Sequence, residues 1–354
     1  MPTWGAISYE LGRLVRADSQ KKDKDPQEPS PHDIVRRKYL KALSEHTERP
    51  VIVYASGWLE GRPVQDPSSI EVSTRDKMGF MEAVHGLPRG PLDLILHSPG
   101  GDPNAAEAIM GYLRDVGFGP IRAIVPIAAM SAATMMALSC DEIVMGYHSQ
   151  LGPIDPQWTL MTPDGPRSAP AQAILDQFLR AQDECKINQQ ALVAWIPILR
   201  YYGPGLLSQC VASQRAAEDV VSSAIHRYMF SDEAEPARTV HSAEVAAWFN
   251  NHTLHRSHGK PFAYNEVLSQ GLKVKLLEDD GDLQDAVLSA WHGVQLSLSQ
   301  VAVQKLIENQ DGAAWVLSGA PMLVALQPPA APSQPARPPV PPGGSPNRQQ
   351  RRRK

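Results

Sequence analysis

The sequence predicts an α/β domain built on a largely parallel sheet, and three observations carry that expectation. Short runs rich in Ile, Val and Leu recur along the chain: VIVYAS at 51–56, LDLILHS at 92–98, IRAIVP at 121–126 and EIVM at 142–145. Helix-period segments alternate with them, among them KMGFMEAVHGL at 77–87 and the stretch that opens at Asp102. Turn residues separate the two kinds of segment, so the order strand, turn, helix, strand is repeated. A sheet connected in this way is parallel, carries helices on its faces, and binds ligands where strands end and helices begin.

Taken in order, the chain opens with a short amphipathic piece, followed by the polar, proline-containing ADSQKKDKDPQEPSP at 17–31. Residues 1–31 are therefore expected to be an arm and linker, and residues 32–300 the main body. The helix after LDLILHSPGG is the best marked, with Asp102 as N-cap, Pro103 at the first position, and Ile109, Tyr112, Leu113 and Val116 on one face. AAMSAATMMALSCDE, at 128–142, reads as a helix apolar on nearly every side. Ser131 stands at its start, where a serine ordinarily caps the first turn. The apolar, tryptophan-bearing ALVAWIPILRYYGPGLL, at 191–207, suits an interface, a substrate-facing lid or plain core packing. Residues 301–326 are expected to form a C-terminal helical segment. Residues 327–354, proline-rich and without an acidic residue, are expected to be a disordered tail with a basic RRRK end.

Composition narrows the function classes. With 354 residues, 42% of them hydrophobic, the chain is long enough for a sizeable core. A net charge of -4 argues against a nucleic-acid-coating protein, which leaves the basic tail as the candidate RNA contact. Cys140, Cys185 and Cys210 are odd in number and lack CxxC spacing, so a reducing compartment is expected rather than a disulfide framework or zinc site. No stretch approaches the roughly 18 uninterrupted apolar residues of a membrane span, which reads as a soluble, cytoplasmic chain. There is no GxxxxGK[ST] phosphate loop.

Two strand-to-helix junctions carry unusual chemistry. In HSPGGDP, at 97–103, the paired Gly100 and Gly101 let the backbone approach a ligand and turn peptide N–H groups outward, although such a pair is also an ordinary tight turn. The second junction sets the Ser131 hydroxyl beside the Ala132 N–H. Together they describe acyl transfer: a serine attacks a carbonyl, and an oxyanion-binding group drawn from Gly100, Gly101 and Ala132, with the N–H groups of Gly101 and Ala132 foremost, holds the developing charge.

At these residues the sequence resembles the Clp/crotonase superfamily and, within it, the SDH family of serine proteinases, historically labelled serine dehydrogenase proteinase. The resemblance rests on MPTWGAI, VRRKYLKAL, VIVYASGW, LDLILHSPGGD, AIVPIAAMSAATMMALSCDEIVMG, LGPIDPQ, RSHGKPF and GLKVKLLE. It implies a Clp/crotonase-like spiral of β-β-α units, a peptide or protein substrate, no cofactor or metal, and assembly into homo-oligomers. It also implies a Ser, Asp, His triad in that chain order, for which Asp155 in LGPIDPQ and His258 in RSHGKP are the matching positions. Related branches use a lysine some fifty residues after the serine, and Lys186 in DECKINQQ stands there as an alternative base. One departure is visible: Ala133 occupies a position where the family motif has glycine, and its methyl is expected to narrow the pocket.

Each of these residues also has an ordinary reading. Asp155 suits a turn before Pro156, Lys186 an exposed helix face, and His258 a loop hydrogen bond. His252 and His255 share the loop with His258. A metal reading of the three lacks a completing carboxylate or cysteine. The leading function is thus an acyl-enzyme serine peptidase. The alternatives are an enzyme that polarises a thioester through the two amides alone, and a non-catalytic scaffold that recruits partners through its arms.

Overall fold

VIVYAS and LDLILH are apolar without alternation, which is the pattern of strands covered on both faces. The computed structural model describes residues 3–319, apart from 22–24, 26–27, 62 and 65. Helices α1 (Trp4–Ser19) and α2 (Pro31–Thr47) precede β1 (Val51–Ser56). Helix α3 (Asp76–Ala83) leads to β2 (Gly90–His97), α4 (Pro103–Asp115) to β3 (Phe118–Val125), and the short β4 (Ala128–Ala129) to α5 (Ala132–Leu138). Next come β5 (Glu142–Met145), β6 (Gln150–Leu151) and the hairpin of β7 (Gln157–Thr162) and β8 (Gly165–Pro170). Helices α6 (Ala171–Ile187), α7 (Ala191–Leu199), α8 (Leu206–Arg227), α9 (Ala237–Asn250) and α10 (His252–His255) follow. The described chain finishes with β9 (Phe262–Ala263), α11 (Tyr264–Leu268), β10 (Val274–Leu276), α12 (Gly281–Gln300), β11 (Val303–Asn309) and β12 (Ala314–Ser318).

The expected α/β class is observed. Seven strands form the main sheet in the order β10-β5-β3-β2-β1-β11-β12. The five from β10 to β1 run parallel, and β11 and β12 add an antiparallel edge. A small second sheet, β4-β6-β9, takes the continuation of β3 through β4 and of β5 through β6. A strand in the large sheet, a strand in the small one and then a helix is the repeating unit. Alternate residues of the central strands feed two cores. Ile52, Tyr54, Leu94 and Leu96 pack beneath α3, α4 and α5, while Val51, Val53, Ile95 and Ile124 pack under α2 and α12.

Two expectations are corrected at the ends of the body. Of the segment expected to be helical at 301–326, the described residues, which end at 319, form the hairpin β11–β12 instead. Val303, Leu306 and Ile307 are buried against the sheet, and the Asn309 side chain accepts from the N–H of Asp311 at 2.9 Å and of Ala313 at 3.0 Å. Gly312, at φ 91°, completes a turn that a helix cannot accommodate. The N-terminal piece is a helix docked on the body, with Ile7 and Leu11 buried against Val35 and Leu296. Helix α7 contributes no buried residue, so core packing does not account for its apolar sequence. The tail at 327–354 lies outside the described residues. Among the described residues no helix is long and apolar enough to cross a membrane.

Candidate active site

Strand β2 ends at His97 and passes into Ser98-Pro99-Gly100-Gly101, after which the Asp102 side chain accepts from Asn104 N–H at 2.9 Å and starts α4. Beside it, β4 runs into Met130-Ser131 and then α5. Two backbone bonds tie the turns together: Ser98 N–H to the Ala128 carbonyl at 3.1 Å, and Met130 N–H to the Ser98 carbonyl at 3.0 Å. Both loops therefore rest on one frame.

Ser131 stands at the N-cap position of α5, its carbonyl accepting Met135 N–H at 3.1 Å, but its side chain does not cap the helix. Its backbone sits at φ 49°, ψ −119°, and its side chain accepts nothing from the helix it precedes. A non-glycine residue in this region costs on the order of 1–3 kcal/mol, and such strain persists only where the surroundings over-determine it. Here they do: all seven residues of α5 are buried, and Thr134, fully buried, donates to the Ala129 carbonyl at 2.7 Å while accepting Gly152 N–H at 3.0 Å. Thr134 thereby ties the serine turn to the loop that carries Asp155. Ala133 is fully buried and does not line the cavity, so its methyl packs in the core rather than narrowing the pocket.

The glycines separate by function. Gly100 N–H donates to Ser98 Oγ at 3.2 Å and is not free for a ligand, which corrects its assignment to the oxyanion-binding group. Its part is spatial: a Cβ there would lie 2.6 Å from Ser131 Cβ and 2.8 Å from Ala132 N. Gly101, at φ 145°, is held between two bonds to Val72, from Val72 N–H to the Gly100 carbonyl at 2.6 Å and from Asp102 N–H to the Val72 carbonyl at 2.9 Å. Among the described residues the N–H groups of Gly101 and Ala132 make no hydrogen bond.

Asp155 is 2% exposed, in the stretch without regular structure after β6, and is not a surface turn residue. Its Oδ1 accepts from His258 Nδ1 at 2.7 Å, and its Oδ2 from His252 Nδ1 at 3.0 Å and from Gln157 Nε2 at 3.0 Å. A carboxylate only accepts, so each imidazole donates from Nδ1, and in the neutral ring Nε2 is the nitrogen left to accept. His258 Nε2 has no partner among the described residues, nor does Ser131 Oγ. His255 has turned away: its Nε2 meets the Trp248 carbonyl at 2.6 Å, its ring packs on Trp248 and Phe262, and burial lowers its pKa.

Ser131, Gly100, Gly101, Ala132, Asp155 and His258 all line one cleft of about 750 Å³. Met135, Ile154, Ala217 and Val220 give it an apolar wall, and Glu71 and Glu107 stand on its lining as the further acids. Lys186 is elsewhere. It lies on α6 with a side chain 71% exposed, paired to Asp183 at 2.9 Å, and does not line the cleft. Burial is what would turn a lysine into a neutral base, and this one has none. Among the described residues no group of three or more His, Cys, Asp and Glu side chains is arranged to hold a metal ion. His252 and Gln157 are the contacts to Asp155 that sequence reasoning missed. The spacing of His252 six residues before His258 was visible, but not which ring would reach the carboxylate.

Residues 61–196 match the family described as ClpP-like SDH-type serine proteinases, a stretch that includes the glycine loop, Ser131 and Asp155. Two proteins of Methanocaldococcus jannaschii, both named as uncharacterized, are similar: MJ0137 is 37% identical over 129 residues, and MJ1495 is 31% identical over 123 residues. The matches cover 35% and 34% of this chain and 43% and 38% of theirs, so the chain spans less than half the length of these relatives. Among solved structures, the 1510-N membrane-bound stomatin-specific protease shares 14% identity at a TM-score of 0.37, over 61% of this chain and 79% of its own.

Proposed function

We propose that this chain, whose residues 61–196 match the ClpP-like SDH-type serine proteinases, is a serine peptidase working through an acyl-enzyme on Ser131. The observation that carries the reading is the Asp155–His258 bond at 2.7 Å on the wall of a cleft that also holds a strained serine and two unpartnered amides. In this mechanism His258 Nε2 takes the proton from Ser131 Oγ as the oxygen adds to the peptide carbonyl. The negative charge that forms on the carbonyl oxygen is met by Gly101 N–H and Ala132 N–H, and the Asp155 carboxylate fixes the tautomer of the neutral imidazole and stabilises the imidazolium that forms. His258 then returns the proton to the leaving amine as the C–N bond breaks. A water, deprotonated by the same Nε2, releases the acyl group and restores the serine.

Catalysis by the two amides alone, as in thioester polarisation, gives no role to a strained serine or to a histidine held by a buried carboxylate. Nor does a scaffold. Hydrolysis of a quenched fluorogenic peptide library tests the reading: the full chain is expected to cleave members of it, and Ser131→Ala to lose about 10³-fold or more in kcat. Equal hydrolysis by wild type and Ser131→Ala would remove the acyl-enzyme.

A further inference from the structure

Lys305 lies on β11, opposite Ser56 of β1, with its side chain 0% exposed. Its ammonium is saturated: Nζ donates to the Ser68 carbonyl at 2.9 Å, to the Glu71 carbonyl at 2.6 Å and to both oxygens of Asp76 at 2.8 and 3.0 Å. Asp76, equally buried, also accepts from Tyr54 Oη at 2.8 Å and from Ser73 N–H at 2.9 Å. A buried ion pair of this kind adds little net stability over apolar residues of similar volume, so its presence needs another reason.

The carbonyls it holds supply one. Glu71 immediately precedes Val72, and Val72 makes both bonds that bracket Gly101. A Cβ on Gly101 would lie 2.5 Å from the Val72 carbonyl oxygen and 2.6 Å from Val72 N, so the two backbones are in direct contact. The direction of the free Gly101 N–H is set by that contact. A chain of named bonds thus runs from a strand outside the cleft to the amide inside it.

We propose that Lys305 is a positioning residue for the Gly101 oxyanion-binding amide, acting through the Glu71 carbonyl and the Val72 backbone. The proposal rests on the peptidase reading for its catalytic consequence, but not for its structural one. With the ammonium removed, the 68–72 segment loses its anchor, and the amide misses the position of the developing charge by a fraction of an ångström. Binding of the ground-state substrate, which the apolar wall carries, is unaffected.

The test uses the full chain and the double variant Lys305→Met/Asp76→Asn, which leaves no lone buried charge and keeps an acceptor for Tyr54 and Ser73. Expected are a roughly 10- to 100-fold fall in kcat with KM within about twofold, and faster hydrogen exchange at the Val72 and Asp102 amides with unchanged exchange in β2 and β3. A folded double variant with wild-type kcat, or with unaltered exchange at those amides, would overturn the proposal. Wild-type exchange guards against a variant that does not fold. The Val72 and Asp102 amides are expected to exchange as slowly as those of Leu306 and Ile307, and orders-of-magnitude faster exchange would also overturn it. Altered exchange in a chain that hydrolyses no peptide even as wild type would instead sink the peptidase reading and leave the clamp standing.

Discussion

The Asp155 carboxylate, 2% exposed, accepts the Nδ1–H of His258 at 2.7 Å across 103 positions of sequence. That bond occupies Nδ1 and leaves Nε2 as the free ring nitrogen of a residue that lines the cleft. Asp155→Asn would present an amide N–H to an Nδ1–H, and relief comes by moving the ring proton to Nε2. The variant is expected to stay folded and to lose roughly 10³- to 10⁴-fold in kcat, as measured by peptide hydrolysis. Full activity in Asp155→Asn would show that the carboxylate does not set the tautomer.

The second histidine on Asp155 gives a graded prediction. His252, 3.0 Å from Oδ2, does not line the cleft and acts by holding the carboxylate. His258→Ala is expected to abolish activity, whereas His252→Ala should cost about tenfold and His252→Asn, which keeps a donor, less than that. Parallel kcat measurements on the three variants check the ordering. Equal losses in His252→Ala and His258→Ala would mean that the base has been assigned to the wrong ring.

Gly100→Ala tests the shape of the site. The added Cβ would meet the Met130 carbonyl oxygen and Ser131 Cβ at 2.6 Å, at a residue with φ 96°. Neither neighbour is a flexible chain end, so the serine turn must shift. Activity is expected to fall at least 10²-fold, with a loss of about 1–3 kcal/mol in stability by urea titration. An active Gly100→Ala would show that this contact is not needed.

Lys186→Ala is the complementary control. Its exposed pair with Asp183 should be worth about 0.5 kcal/mol or less, and its removal should leave kcat and KM unchanged. A large loss of activity would restore the lysine as a candidate base.

Much of the fold was legible because its signals are local. Buried strands announce themselves as short apolar runs, α4 as Asp102-Pro103 before an apolar stripe, and the glycine loop by residues that allow positive φ. The C-terminal hairpin was not legible, because Lys305 and Glu308 look like surface residues until their partners Asp76 and Arg36 are known. The same limit applies to the site. Ser131 and Gly101 belong to adjoining turns and are readable as a pair. The choice among His252, His255, His258 and Lys186 depends on which of them folds back to Asp155, a contact that no spacing encodes. Ser131 takes the N-cap position that its place in the sequence suggests, but its hydroxyl makes no capping bond, since a backbone at φ 49° is imposed by packing around α5 and not by the serine itself.

His97 gives a pH-dependent prediction. Burial lowers its pKa from an ordinary 6.5 to about 4, against a smaller opposing effect of the nearby Ala128 backbone, and its ring lies against Trp58 and Trp291. Between pH 6.5 and 4 the unfolded chain binds a proton at this position that the native chain does not. Stability is therefore full above 6.5 and falls as pH drops through that window, by on the order of 3 kcal/mol in total. Urea midpoints at pH 7 and 5 should differ more in wild type than in His97→Gln. Equal slopes would place the neutral ring elsewhere.

Covalent labelling by a fluorophosphonate, followed by peptide mass mapping, tests the central claim most directly. The account predicts one adduct on Ser131, absent from Ser131→Ala, reduced at least 10²-fold in rate by His258→Ala and unchanged in Lys186→Ala. A folded wild type that carries no adduct at Ser131, or labelling that Lys186→Ala abolishes and His258→Ala spares, would contradict it.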